Sequence, residues 1–200
     1  ANTARRNLRG LVAMQIFVLR PMRIVLVVIV FLCGSVGMAP DAWGGPSSWE
    51  AGLRAGGSFN DDDESFQQYD MYFAYGLPWS WQWGRAIQVD TKLTTAVGVL
   101  EGGDDAGLAG QLGFEFVFSS ARHQWPLEIR AGSALTLISE DRYGDEDLGG
   151  PVQFTHHIGL YYWFLENLSV MARVQHMSNA GIYDQNPGVD MVMIGLIYRF

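Results

Sequence analysis

The strongest constraint on the fold is an alternation of apolar and other residues that recurs along stretches of about ten positions. Eight such stretches are separated by Gly, Pro, Asp and Asn, and none shows a helical period of useful length. They cover about 48–57, 66–76, 86–100, 107–119, 126–138, 151–165, 167–178 and 189–200. A side-chain period of two indicates β-strands, and an even number of antiparallel strands can close without a free edge. We therefore predict an all-β fold: an eight-stranded antiparallel transmembrane β-barrel with a lumen filled by side chains.

The final stretch is the most regular of the eight. One of its faces is uniformly apolar and ends on a terminal aromatic residue, as Val192, Ile194, Leu196, Tyr198 and Phe200. This pattern is similar to the C-terminal assembly signal of bacterial outer-membrane proteins. We therefore expect a multi-pass barrel in the bacterial outer membrane. A soluble barrel is the alternative, but it has less reason to end on an exposed phenylalanine.

The first part of the chain predicts a secretory signal peptide over residues 1–42. Five arginines precede or border an apolar run at 24–33, and small residues follow as far as Ala39. Cleavage is expected at about 39–45, which leaves 43–200 as the outer-membrane barrel. A short transmembrane anchor is the alternative, although the run is only marginally long enough to cross a bilayer.

From Trp43 onward the chain contains 8 Lys and Arg residues against 20 Asp and Glu residues. Such an acidic chain is a poor candidate for binding nucleic acid. Acidic residues concentrate in the segments that we predict as outer loops, namely 58–65, 101–106, 139–150 and 179–188. The predicted inner turns are 77–85, 120–125 and 165–166, and tryptophans that suit a membrane interface lie in them at Trp79, Trp81, Trp83 and Trp125.

The candidate chemistry lies at the outer end of the seventh stretch. Alternation places His176 and Ser178 on the same face as the apolar side chains, so both should project towards lipid. Two residues apart on one strand, their Cβ atoms lie within roughly 7 Å, which lets an imidazole reach a serine hydroxyl. Asp190 opens the last strand with outward parity and can orient the histidine. Asp184, in the preceding loop, is the alternative acid.

A polar rim at the lipid headgroup boundary is the competing interpretation of these side chains. Isolated histidines and serines at a barrel rim commonly mark only that boundary. We assign His123, His156 and His157 to this class.

The segment 175–181, Gln-His-Met-Ser-Asn-Ala-Gly, resembles the lipid A 3-O-deacylase family (PagL). Asn-Pro-Gly at 186–188, the final strand ending at Phe200 and Gly-Gly-Asp at 102–104 extend the likeness. The motif is specific, but it closely covers only the last quarter of the chain. The resemblance implies an eight-stranded barrel with a lipid-exposed catalytic triad.

Matched residue by residue, the resemblance implies that Ser178 is the nucleophile, His176 the general base and Asp190 the acid. Asn179 matches a position associated with the oxyanion hole, and Gly181 is expected to add a backbone N–H. Well-known members carry glutamate where this chain has Asp190. Because aspartate is one methylene shorter, either the strand ends lie closer together or the third contact is weaker.

The activity implied is that of a serine esterase that removes the 3-position hydroxyacyl chain of lipid A. We expect no metal and no other cofactor. Lipid A or lipopolysaccharide would be the substrate, with the outer membrane as the setting, no nucleic acid as partner, and a homodimer left open. The alternatives are a non-enzymatic small outer-membrane barrel with a structural or adhesion role, and an outer-membrane phospholipase.

Overall fold

The computed structural model describes residues 49–59, 64–120 and 125–200, and these form a closed antiparallel barrel of eight strands. The ten strands are β1 (Trp49–Ser58), β2 (Phe66–Trp83), β3 (Ile87–Gly102), β4 (Asp105–Ser120), β5 (Leu127–Ile138), β6 (Arg142–Tyr143), β7 (Glu146–Asp147), β8 (Val152–Trp163), β9 (Leu168–Ser178) and β10 (Val189–Arg199). Around the barrel their order is β1-β10-β9-β8-β5-β4-β3-β2, while β6 and β7 pair only with each other. The predicted fold class is confirmed, and the predicted signal peptide lies outside the described residues.

The barrel wall separates an apolar outer surface from a polar lumen. On β9, Val170, Ala172 and Val174 are exposed, whereas Met171 and Arg173 are buried. Large apolar side chains are exposed on several other strands, including Leu108, Leu112, Phe114, Ile194 and Leu196. Such a surface is compatible with hydrocarbon and not with water over so large an area. The outward parity that the sequence predicts for the seventh strand is therefore what the structure has.

Buried ion pairs fill the lumen. Glu50 accepts hydrogen bonds from Arg130 and Lys92, and Arg54 donates to Asp70 at 2.6 Å. A charge taken out of water is tolerated only when an opposite charge or several hydrogen bonds compensate it. The paired lumen therefore lets the chain bury charged side chains while the outer face stays apolar.

One end of the barrel carries both chain ends of the described barrel, and we call it the terminus end. The sequence predicts a turn over 77–85 here, which is wrong because β2 continues to Trp83. Its pairing with β3 shifts register between Gly76 and Ser80. A bulge of this kind accommodates Pro78, which has no N–H for the ladder. Pro78 is the reason that this part of β2 has the sequence character of a turn.

The opposite end, which we call the loop end, carries the longer connections. The predicted loop over 101–106 is only a tight turn at 103–104, because β3 and β4 pair almost to their tips. The β5–β8 loop, residues 139–151, contains the small β6–β7 hairpin. The β9–β10 loop, residues 179–188, has no regular strand. These last two loops border the candidate site. The described ranges contain no helix both long and apolar enough to span a bilayer.

Candidate active site

Strands β9 and β10 place His176 directly opposite Asp190 on the lipid-facing surface. Nδ1 of His176 lies 2.8 Å from Oδ1 of Asp190, and the two side chains are 49% and 41% exposed. Directly opposed residues of an antiparallel pair have Cβ atoms roughly 5 Å apart, so an aspartate is long enough to reach the ring. The register thus compensates for the methylene that aspartate lacks relative to glutamate.

Ser178 is the last residue of β9 and lies half-buried on the same face as His176. Because Asp190 engages Nδ1, Nε2 is the ring nitrogen left to accept a proton from a hydroxyl. In the described chain the Ser178 hydroxyl and the His176 ring are not hydrogen-bonded to each other. Such contacts often tighten only when substrate is bound.

Gly188 packs against the imidazole ring of His176. It has a left-handed φ of +76°, and a Cβ placed on it would lie 3.0 Å from Cε1 and 3.6 Å from Nε2 of His176. The backbone at this point therefore runs against the Cε1–Nε2 edge of the imidazole. Glycine satisfies both the backbone conformation and the limited space.

Asn179 is fully buried and connects the two loops. Its Nδ2 donates to the carbonyl oxygens of Leu148 at 3.0 Å and Gln185 at 2.6 Å. Its Oδ1 accepts the N–H of Gly181 at 2.9 Å, while its own N–H donates to Oδ1 of Asn186 at 2.9 Å. The donors that the sequence predicts for an oxyanion hole, Asn179 and Gly181, are therefore already bonded within and between the two loops.

Ala180 lies between those two residues and has an unusual backbone. Its φ of +54° is the only positive value among the described non-glycine residues. An alanine in this region is strained by roughly 1–2 kcal/mol, and such strain is concentrated at functional sites. Within the described chain no hydrogen bond is made by its N–H. The turn after Ser178 therefore presents one unused backbone donor.

The β5–β8 loop supports this turn from the side. Asp147 accepts the N–H of Gly149 at 2.9 Å, and this bond, followed by the guanidinium of Arg142, lowers the pKa of Asp147. Gly149 has a φ of +86°, and a Cβ there would meet the carbonyl oxygen of Gln185 at 2.1 Å. The two loops are thus in backbone contact beside the candidate nucleophile.

Two further side chains continue the line of His176 and Asp190 across the wall. His156 on β8 is opposite His176, and Ser133 on β5 is opposite His156. Oγ of Ser133 lies 2.8 Å from Nδ1 of His156. We call these four side chains the polar row. Period-two alternation gives the parity of each residue, but only the strand register reveals that they are neighbours.

His157 does not belong to the rim class to which the sequence assigned it. Its side chain is only 4% exposed in the lumen, where Nε2 lies 3.0 Å from Oε1 of Glu115. Adjacent strand residues point to opposite faces, so His156 and His157 cannot share an environment. His123 lies outside the described residues.

A groove of about 380 Å³ runs along the outer wall beside the polar row. Its lining residues are Phe59, His156, His157, Ile158, Val174, Gln175, His176 and Asp190. Phe59, Ile158 and Val174 supply apolar walls, and His176 and Asp190 supply the polar end. The lining suits a hydrocarbon chain whose polar head lies at the histidine.

A separate cavity of about 310 Å³ lies between the two loops and includes Asp184, the alternative acid, in its lining. Asp184 therefore borders a different space from the groove that contains His176. Over the ranges 49–59, 64–120 and 125–200, no three His, Cys, Asp or Glu side chains are grouped to hold a metal ion. The aspartates at 61–63 are outside these ranges.

Comparisons with known proteins agree with this architecture. A lipid A deacylase PagL of Pseudomonas aeruginosa is 31% identical over 129 residues, covering 62% of this chain and 75% of that protein. A lipid A deacylase PagL of Bordetella bronchiseptica is 38% identical over 72 residues, which span 36% of this chain and 40% of that protein. The crystal structure of the outer membrane enzyme PagL has the same fold. The two structures superpose with a TM-score of 0.63 at 23% sequence identity, and the match covers 74% of this chain and 98% of the PagL chain.

The family profile described as lipid A 3-O-deacylase (PagL) matches residues 67–199, which include seven of the eight barrel strands and the polar row. The match extends over more than half of the chain and agrees with the two relatives and with the fold. The chain belongs to the lipid A 3-O-deacylase (PagL) family.

Proposed function

We propose that this chain is a lipid A 3-O-deacylase of the outer membrane and that it acts as a serine esterase. Ser178 is the nucleophile, His176 the general base and Asp190 the orienting acid. The observation that carries the proposal is the His176–Asp190 pair on the lipid-facing wall, 2.8 Å apart and beside Ser178. Ionisable side chains on a lipid-facing wall are costly, and an esterase that acts on a membrane lipid needs a hydrogen-bonded imidazole and carboxylate there.

In the first half-reaction, Oγ of Ser178 forms a bond to the ester carbonyl carbon while Nε2 of His176 takes its proton. Asp190 holds the ring by Nδ1 and stabilises the imidazolium that forms. When the tetrahedral intermediate collapses, the bond between the carbonyl carbon and the sugar oxygen breaks. His176 returns the proton to that oxygen, so lipid A leaves with a free hydroxyl and the acyl chain stays on Ser178.

In the second half-reaction, water replaces the serine. His176 removes a proton from the water as its oxygen attacks the acyl-enzyme carbonyl, and then protonates Oγ of Ser178. The product is a 3-hydroxy fatty acid. The exposed side of the polar row provides both the sugar oxygen and the water with a path to the histidine.

The developing oxyanion needs donors close to Ser178, and one such donor typically contributes on the order of 100-fold to 1000-fold in rate. Asn179 and Gly181 were expected to provide them, but their N–H groups and the Asn179 amide are engaged by residues of the two loops. We propose that Asn179 and Gly181 contribute to the oxyanion hole chiefly by holding the turn after Ser178 in place. The unused N–H of Ala180 then donates directly to the oxyanion.

Placement on the outer wall suits a membrane lipid as substrate. Lipid A can approach by lateral diffusion with its acyl chains still in hydrocarbon. The groove lined by Ile158, Val174 and Phe59 would receive the chain whose ester is cleaved. Because the chain moves from lipid into an apolar groove, it gains little hydrophobic free energy, and the groove serves to position the ester beside Ser178.

The decisive experiment is the lipid A mass spectrum of a bacterium that lacks this activity and expresses the chain. We expect each lipid A species to lose the mass of one ester-linked 3-hydroxyacyl group, with the free 3-hydroxy fatty acid appearing in the lipid extract. Purified protein should give the same products on purified lipid A. An unchanged spectrum with a correctly folded barrel would support the non-enzymatic alternative.

An assay of phospholipid beside lipid A distinguishes a lipid A deacylase from the alternative, an outer-membrane phospholipase. We expect hydrolysis of lipid A and little release of fatty acid from phosphatidylethanolamine under the same conditions. If phospholipid were hydrolysed preferentially, phospholipid and not lipid A would be the substrate, and the serine mechanism would still apply.

Gly188 provides a test of the ring position. We expect Gly188→Ala to lower kcat for lipid A deacylation by roughly tenfold or more, because its Cβ displaces His176 and small misplacements of catalytic groups are costly. Gly84→Ala is a matched control, since Gly84 also has positive φ (+65°) but no heavy atom within 4 Å of its added Cβ. Equal losses in both variants would show that backbone strain, and not His176, is responsible.

A further inference from the structure

His156 and Ser133 form a second hydrogen-bonded pair in the polar row, one that the proposed mechanism does not use. Nδ1 of His156 is bonded to Oγ of Ser133 at 2.8 Å, and His156 is exposed on the outer wall. No other hydrogen bond from this ring is made to the described residues. Nε2 of His156 is therefore oriented by the Ser133 bond and available to a ligand.

The position of His156 relates it to the reacting ester. It is directly opposite His176, and Ser178 is opposite Phe154, two residues before His156 on β8. Diagonal neighbours in an antiparallel pair are roughly 7–8 Å apart, within reach of a long side chain. An ester carbonyl at Ser178 thus has His156 near the first few carbons of its acyl chain. The groove that would hold the chain includes His156 in its lining.

The chemistry of this nitrogen favours a hydroxyl group as its ligand. If Ser133 donates to Nδ1, Nε2 carries the proton and donates; if Nδ1 donates to Ser133, Nε2 accepts. A hydroxyl can satisfy either arrangement, because it both donates and accepts. A phosphate would need positive charge, and the groove lining contains no Lys or Arg but does contain Asp190.

We propose that His156 determines substrate specificity by binding the hydroxyl on the third carbon of the acyl chain that is removed. This inference rests on the proposed function, because that hydroxyl is two carbons from the ester carbonyl attacked by Ser178. Ser133 acts as a positioning residue, which fixes the ring so that Nε2 faces the groove. The enzyme would then distinguish hydroxyacyl esters from unsubstituted acyl esters of the same length.

The experiment compares two synthetic lipid A analogues that differ only in the hydroxyl of the 3-position acyl chain. We expect the purified protein to favour the hydroxylated ester in kcat/KM by roughly fivefold to tenfold, the contribution of one net hydrogen bond. His156→Leu should reduce this ratio to about 1 by slowing only the hydroxylated ester. His156→Gln, whose amide places a donor and acceptor near the position of Nε2, should retain most of it.

Thr95→Leu is the control for removing a polar group from the outer wall. Thr95 is exposed on β3, away from the polar row, and should leave both rates and their ratio unchanged. Folding of each variant is checked by the faster migration of an unboiled barrel on a gel.

Three outcomes would overturn the inference. These are no preference in the wild-type protein, equal slowing of both esters by His156→Leu, or loss of the preference in His156→Gln to the same extent as in His156→Leu. If the folded wild-type protein cleaves neither ester, the proposed function fails as well. Cleavage of both at equal rates removes only the role of His156.

Discussion

Replacing Ser178 by alanine should abolish lipid A deacylation, with kcat lower by a factor on the order of 10,000 or more. Alanine removes the oxygen that forms the acyl-enzyme bond, and no neighbouring hydroxyl takes its place on that face of β9. In the expressing bacterium, the lipid A mass spectrum should return to that of cells without the protein. The barrel itself should be unaffected, because the Ser178 hydroxyl makes no hydrogen bond within the described chain.

A double variant makes the Ser178 result specific to the proposed mechanism. His176→Ala should cause a loss of similar size, and Ser178→Ala combined with His176→Ala should be no worse than either alone, because the two groups act as one unit. Independent losses that multiply would contradict a shared proton transfer. Substantial activity in folded Ser178→Ala protein would remove the serine mechanism altogether.

The second large effect is expected for Asp190→Asn, which should lower kcat about 100-fold to 1000-fold. The amide keeps the size of the side chain but can donate to Nδ1, which favours the histidine tautomer unable to accept the serine proton at Nε2. The loss should be smaller than for Ser178→Ala, because the pair is partly exposed and the wrong tautomer is not strictly enforced. Steady-state kinetics should show the loss in kcat with little change in KM.

Asp184→Asn is the matched control, since it makes the same chemical change in a side chain that borders a different cavity. We expect near wild-type kinetics from it. Asp190→Glu should retain most activity, because the carboxylate is preserved and only the strand spacing must adjust. If Asp184→Asn were the damaging variant and Asp190→Asn were silent, the acid of the site would have to be reassigned.

The sequence predicts the parity of the site well because parity is a local property. Each residue of a strand faces either lipid or lumen, and the apolar neighbours of His176 and Ser178 identify which. The same reasoning gives the fold class, since eight alternating stretches with turn residues between them leave few closed alternatives.

The register between neighbouring strands is not a local property, and the contacts that the sequence did not predict depend on that register. Nothing in β8 alone indicates that His156 lies beside His176, or that Ser133 lies beside His156. The hydrogen bonds of Asn179 were missed for a related reason, because they reach across to a second loop at Leu148. His157 faces the lumen because it is the neighbour of outward-facing His156 on β8, and strand alternation puts the two on opposite faces.

The ion pairs inside the barrel also decide where the hydrolytic water comes from. Arg130, Tyr72 and Tyr161 are fully buried inside the barrel, where the Arg130 guanidinium lies 3.9 Å from the centroid of the Tyr161 ring. We therefore expect the lumen to give solutes from the compartment at the terminus end no route to the outer wall. Water must reach the acyl-enzyme from among the sugar headgroups, so the rate of its breakdown should depend on how tightly the surrounding lipopolysaccharide is packed, and hence on divalent cations that cross-link neighbouring headgroups.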